Sequence, residues 1–185
     1  MSETKYGKLV HRFKPEHSSR TIDGKDIKYD TGRIYFRGAC QIPGSDFNVG
    51  FDLVKETGTI DRYPHIHDAD EYLLFGSATL NSKDWDAHVE LTLGLGDEAE
   101  VISIDQPMTI RIPAGLWHGP LNFVRIATPV YFQAALQLPM FEGTYLMPDG
   151  EKKLVYNGQI ECTIELGKQC DCCKKCLTLS WESDG

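Results

Sequence analysis

The sequence predicts an all-β fold, a sandwich or a barrel. Short runs rich in β-branched and aromatic residues recur along the chain, each bounded by Gly, Pro, Asn or Asp. Many short strands separated by regular turn signals suit a closed two-sheet architecture. No segment combines a helical apolar period with cap signals over more than a few turns. Residues 84–93 fit either period but lack a cap.

In chain order, strands are expected at 34–39, 48–55, 72–75, 89–95, 99–104, 108–112, 124–126 and 130–137. A hairpin is expected near the C-terminus. There 153–156 and 159–166 flank Asn157-Gly158, the pair that best suits a two-residue hairpin turn. In the second arm Ile160, Cys162, Ile164 and Leu166 alternate with polar residues, so Cys162 reads as a small buried hydrophobe. The expected organisation is an N-terminal arm at 1–30, polar and turn-rich. A barrel follows at 31–145, then a C-terminal hairpin and Cys-rich tail at 146–185.

At 185 residues the chain suits one domain with one sizeable core. A formal net charge of -8 and a pI of about 5.2 repel phosphate, so neither nucleic acid nor an anionic membrane is an expected partner. Residues 1–12 are polar and lack the apolar stretch of a signal peptide. The longest apolar run, 130–138, is interrupted by Gln133 and Gln137 and ends at Pro139. A cytoplasmic protein with a small-molecule substrate is therefore expected. Of the six cysteines, Cys40 stands alone and the others crowd the C-terminus, which does not suit a disulfide scaffold.

The chemistry concentrates in two segments. In the first, His65 and His67 are two residues apart, so in a strand both imidazoles face one side and Ile66 the other. Asp68, Ala69 and Asp70 form a plausible tight turn that returns Glu71 to the same space. Two imidazoles and a carboxylate suit a borderline divalent ion such as Fe, Mn, Ni, Zn or Cu. Asp70 is a rival to Glu71 if the turn slips by one residue. In the second segment, Pro113 and Gly115 build a turn, and His118 follows at the start of the next strand.

Together these segments resemble the two motifs of the cupin superfamily. His65, His67 and Glu71 match H-x-H-x3-E; Pro113, Gly115, His118 and Asn122 match P-x-G-x2-H-x3-N. The resemblance spans roughly residues 48–138. It implies a jelly-roll β-barrel with one divalent transition metal, Fe, Mn, Ni or Zn, held by His65, His67, Glu71 and His118. It also implies a homodimer. Three turn positions depart from the family pattern. Gly58 lies one residue too far from His65, Ala78 replaces a glycine that Gly76 supplies two residues earlier, and Pro107 replaces another. The stretch 79–106 is longer than the family minimum and is expected to hold an extra hairpin or loop.

Other residues take plainer readings. Asn122 is expected to fix its loop, and Trp117, Phe75 and Tyr72 to pack. Gln133 faces either water or the barrel interior. Arg62, Tyr63 and Arg125 could meet an anionic substrate, though solvated positions suit them better. His11, His17 and His88 show no partner pattern and are expected to be exposed. In the tail, Cys170, Cys173 and Cys176 follow C-x2-C-x2-C, with Cys172 between and Ser180 where a fourth thiolate would stand. Lys168, Lys174 and Lys175 favour thiolates there. The tail is either a reduced, exposed segment or a second, thiolate-bound metal site.

Two functions remain open on the sequence alone. One is a metal-dependent enzyme of dioxygenase, decarboxylase or isomerase type, with Glu71 as both ligand and base. The other is a non-catalytic cupin that binds or senses a metabolite or metal.

Overall fold

The computed structural model describes residues 5–10, 12, 34–79, 81–139, 141–156 and 159–160. His11, His17, Cys162, the Asn157-Gly158 turn, the cysteine tail and most of the N-terminal arm lie outside the described residues.

Strands β1 (Ile34–Phe36), β2 (Asn48–Val54), β10 (Val130–Leu136), β5 (Glu71–Ser77) and β8 (Met108–Ile112) form one antiparallel sheet, in that order. The second sheet runs β13 (Gln159–Ile160), β12 (Lys152–Tyr156), β11 (Glu142–Leu146), β4 (His65–Ile66), β9 (His118–Ile126), β6 (Ala87–Leu93), β7 (Glu100–Ile104). Strand β3 (Gly58–Ile60) pairs with β9 on the β4 side. The order β2-β10-β5-β8 against β3/β4-β9-β6-β7 is that of a jelly roll, and the chain is an all-β jelly-roll barrel.

Alternation builds the interior. On β5, Glu71, Leu73, Phe75 and Ser77 are buried, and the residues between them are half-buried. On β6, Ala87, Val89 and Leu91 turn inward in the same way. Phe132 packs 5.2 Å from Phe75 and 5.9 Å from Phe123, centroid to centroid, in the centre of the core. Gln133 is on the opposite, outer face of β10 and accepts a hydrogen bond from Tyr131 Oη at 3.1 Å.

Several boundaries differ from the sequence expectation. Strand β9 begins at His118, as expected of the residue after the Pro113–Gly115 turn, and runs on without a break through the run expected at 124–126, because its backbone is paired by β3 and β4 on one edge and β6 on the other. Lateral pairing overrides the turn signal of Gly119-Pro120. The first strand stops at Phe36, and the chain turns at Gly38, where a Cβ would lie 2.3 Å from the Pro139 carbonyl oxygen. Residues 84–93 resolve into strand β6 after a short 3-10 turn at Ser82–Asp84, whose preceding Asn81 side chain accepts from Lys83 N. The hairpin between the two motifs, β6–β7, is no addition: β6 is an interior strand of the second sheet. Strands β3 and β11 have no counterpart among the expected strands, and β4 is the short strand that the His65–His67 spacing assumes. Among the described residues no helix is long and apolar enough to cross a membrane.

His88 corrects a further expectation. It is neither solitary nor fully exposed, since its Nδ1 lies 2.5 Å from Asp105 Oδ1 and its Nε2 3.2 Å from Glu90 Oε1. These hydrogen bonds, Asp105 first, raise its pKa above the ordinary histidine value. A raised native pKa makes its stabilisation complete below the unfolded value of about 6.5 and lost as pH climbs through the native one. Urea titrations should show wild type losing its advantage over His88→Gln across that rise. A difference independent of pH would contradict the pairing.

Candidate metal centre

Barrel closure brings both motifs to one point. Strands β4 and β9 place His65 directly opposite His118, and β5 delivers Glu71 from the facing sheet. Ligand atoms from His65, His67, Glu71 and His118 all lie within 4.8 Å of one another, and all four residues are buried, at 2–5% exposure. The sequence expectation names these same four.

The turn beside them is braced across the two motifs. Asp70 is turned away from the cluster: its Oδ2 meets Arg111 Nε at 2.6 Å and its Oδ1 accepts from Ala114 N at 3.1 Å. The Arg111 hydrogen bond first, then that amide, holds its carboxyl below the usual range. Asp70 therefore fixes the loop, and Glu71 takes the interior position. Gly115, at φ +78°, occupies the turn position that disfavours a side chain, and its N–H donates to the His67 carbonyl at 2.9 Å. Asn122 accepts from Thr59 Oγ1 at 2.8 Å and pins β3 to β9.

The imidazoles are oriented from behind. His118 Nδ1 lies 2.9 Å from the Leu116 carbonyl, His65 Nδ1 3.3 Å from the Tyr63 carbonyl, and His67 Nδ1 contacts the Glu142 carbonyl. A carbonyl only accepts, so each Nδ1 carries the proton and each Nε2 keeps its lone pair. The Nε2 atoms of His67 and His118 are buried without a hydrogen-bond partner. The charged group nearest both is the Glu71 carboxylate, whose Oε2 is 3.0 Å from His118 Nε2 and 3.8 Å from His67 Nε2. Buried polar atoms without partners are costly unless something else satisfies them. A divalent cation does so for this donor set.

Electrostatics agree. Burial pushes His65 down to about 3, with repulsion from His118 acting the same way. Burial also lowers His67, against the pull of Glu71. At His118 burial acts downward, but the Glu71 carboxylate outweighs it and the imidazole is raised. Burial would raise Glu71; contacts with His118 and His67 reverse this and hold it below its ordinary value. The set is therefore two imidazoles held toward the neutral form, His65 and His67, beside a His118–Glu71 pair in which His118 favours a proton that a bound cation would displace.

Residues that the motifs do not reveal complete the surroundings. Tyr145 stacks on His65 at 4.5 Å and 7°, and Phe141 meets His67 edge-on at 5.4 Å. Both belong to β11 or its approach, whose position is set by sheet pairing far from the motifs in sequence. Gly143 makes room for His67: a Cβ there would lie 2.9 Å from His67 Cε1 and 3.1 Å from Nδ1. No local pattern announces that requirement. Arg125 pairs with Asp86 on the surface, and Lys152 Nζ lies 5.4 Å over the Trp117 ring.

Both motifs, the jelly-roll order and the buried cluster of three histidines and one glutamate fit a metal-binding cupin. Similar solved structures include Fe(II)-HppE, at 8% identity and TM-score 0.39 over 67% of this chain and 55% of that one. They also include an oxalate oxidase, at 16% and 0.47 over 77% and 66%, and Lactobacillus farciminis oxalate decarboxylase, at 13% and 0.45 over 71% and 35%. The chain thus spans 55% and 66% of the first two proteins' lengths. Likenesses this distant say nothing of its chemistry. No family model matches the sequence, and no curated protein matches it.

Two outcomes follow for the centre. Saturating divalent metal at about 100 times its dissociation constant should stabilise the fold by about 2.7 kcal/mol, a rise in Tm of roughly 5–10 °C, and His118→Ala should abolish the rise. Gly143→Ala should weaken metal affinity about 10- to 100-fold by displacing His67; unchanged affinity by equilibrium dialysis would show that β11 does not position that ligand.

Proposed function

We propose that this chain is a metal-dependent enzyme acting on a small oxygen-bearing metabolite, of dioxygenase, decarboxylase or isomerase type. His65, His67, Glu71 and His118 would hold one divalent transition ion, Fe, Mn, Ni or Zn. The observation that carries the reading is the anchoring of all three Nδ1 atoms on backbone carbonyls, which leaves three Nε2 lone pairs and the Glu71 carboxylate converging in a buried cluster. When bound, such an ion supplies Lewis acidity or a seat for O2 and for a bidentate oxygen substrate.

The chain's own residues would do the rest. The carbonyls behind the imidazoles hold them in one tautomer, so the donor geometry is set before substrate arrives. Glu71 would act as a base only by leaving the ion, its carboxylate then accepting a proton from substrate while the three histidines keep their places. Phe141 and Tyr145, packed on His67 and His65, keep bulk water from the imidazoles. Fold analogy selects none of the three reaction types. A homodimer paired through sheet edges remains part of the proposal.

The alternative is a binding or sensing protein, which the near-complete burial of all four donors favours. Anaerobic purification with metal analysis separates the readings from their common premise. One ion per chain is expected, lost in His67→Ala and in His118→Ala; retention by both variants would refute the site. With metal confirmed, O2 uptake or product formation across diketones, catechols, thiols and keto acids is expected for one class. Silence with every class, beside tight binding of one ligand, would establish the alternative.

A further inference from the structure

The five-stranded sheet carries a buried amide, Asn48, in the same row as Glu71. Residues directly opposed across an antiparallel ladder share a face. Asn48 on β2 opposes Leu136 on β10, and Leu136 opposes Glu71 on β5, so these three form one row across the interior. In the next row Gly50 and Ala134 stand beside Leu73, small residues where the lower barrel carries Phe75 and Phe132. Leu136 is buried yet lies outside the packed aromatic and aliphatic core. The first row ends on Ile112 of β8, which is buried in the core, so Asn48 and Glu71 are its two polar members, set on either side of Leu136.

Asn48 is 5% exposed. Its Nδ2 donates to the Leu138 carbonyl, which assigns the amide orientation, because a carbonyl cannot donate to Oδ1. Its Oδ1 is left buried with no hydrogen-bond partner. A strand position inside a barrel seldom carries an amide, and a buried acceptor without a donor is costly to keep. Neighbouring strands lie about 4.8 Å apart, so Asn48 stands about 10 Å from Glu71 across β10.

We propose that Asn48 Oδ1 is the distal anchor of the substrate site, accepting a hydrogen bond from a hydroxyl or N–H at the end of the substrate away from the metal. This deepens the metal-enzyme reading above and rests on it. The substrate class is a bifunctional molecule: a chelating oxygen pair, such as a 2-oxo acid, joined by a short carbon chain to a hydrogen-bond donor. A bare two-carbon diacid is too short to reach from the histidines to Asn48.

The test uses the full chain loaded with Zn(II), which has no redox chemistry and binds such sites at least as tightly as Fe or Mn. Calorimetry compares 2-oxopentanoate with 5-hydroxy-2-oxopentanoate. In wild type the hydroxy acid should bind roughly 3- to 10-fold tighter, the worth of one net hydrogen bond. In Asn48→Leu the ratio should fall to unity, with 2-oxopentanoate itself bound within about twofold of wild type. Asn48→Ala removes the acceptor without adding bulk and should likewise bring the ratio to unity, which covers the case in which the leucine variant fails to fold. A ratio of unity in wild type, or an unchanged ratio in folded Asn48→Leu, overturns this inference while the metal reading stands. Failure to bind Zn(II) at all overturns both.

Discussion

Three imidazoles can share a small, dry space only if their protons point outward. In this barrel the outward protons meet the carbonyls of Tyr63, Glu142 and Leu116. Each of those carbonyls sits on or beside a strand whose position is set by sheet pairing. The arrangement is therefore a product of backbone placement, and the side chains inherit it. Without it the histidines would rotate, Glu71 would face protonated neighbours at random, and the interior would hold unpaired polar atoms with no common focus.

That requirement explains features that look unrelated. Gly143 is small because the His67 ring occupies the space its Cβ would need. Gly119, at φ +97°, lets the backbone pass the carbonyls of Asp61 and Tyr63 close behind His65. The Gly115 turn ties itself to the His67 carbonyl, and Asp70 ties the same turn to the first motif. The two motifs are thus one mechanical unit, with the hydrophobic core of Phe75, Phe123 and Phe132 bracing the far end of the barrel.

Legibility varied by residue for physical reasons. His65, His67 and Glu71 were readable because a strand's period of two and a short turn are local properties. His118 was readable as a residue after a Pro-Ala-Gly turn, but its meeting with His65 was supplied by family resemblance. Asp70 and Glu71 could not be ranked locally, since a one-residue slip exchanges their faces. Pairing of Glu71 with both Ile112 and Leu136 settles the register and sends Asp70 to Arg111. His88 looked unpartnered because Asp105 lies just past the end of β7, 17 residues on.

What the sequence by itself determined is the all-β character, the core alternation on β5 and β6, and the three histidines with either Asp70 or Glu71 as the candidate cluster. These follow from side-chain chemistry at short spacing, with the family resemblance joining the two motifs. Only the tertiary structure decided which strands neighbour one another, that β9 runs through Gly119-Pro120, that Tyr145 and Gly143 lie against the histidines, and that Asn48 shares a row with Glu71. Those residues are brought together by hydrogen-bonded ladders between segments roughly 50 to 90 positions apart, and a ladder's partner is not encoded in the strand that offers it.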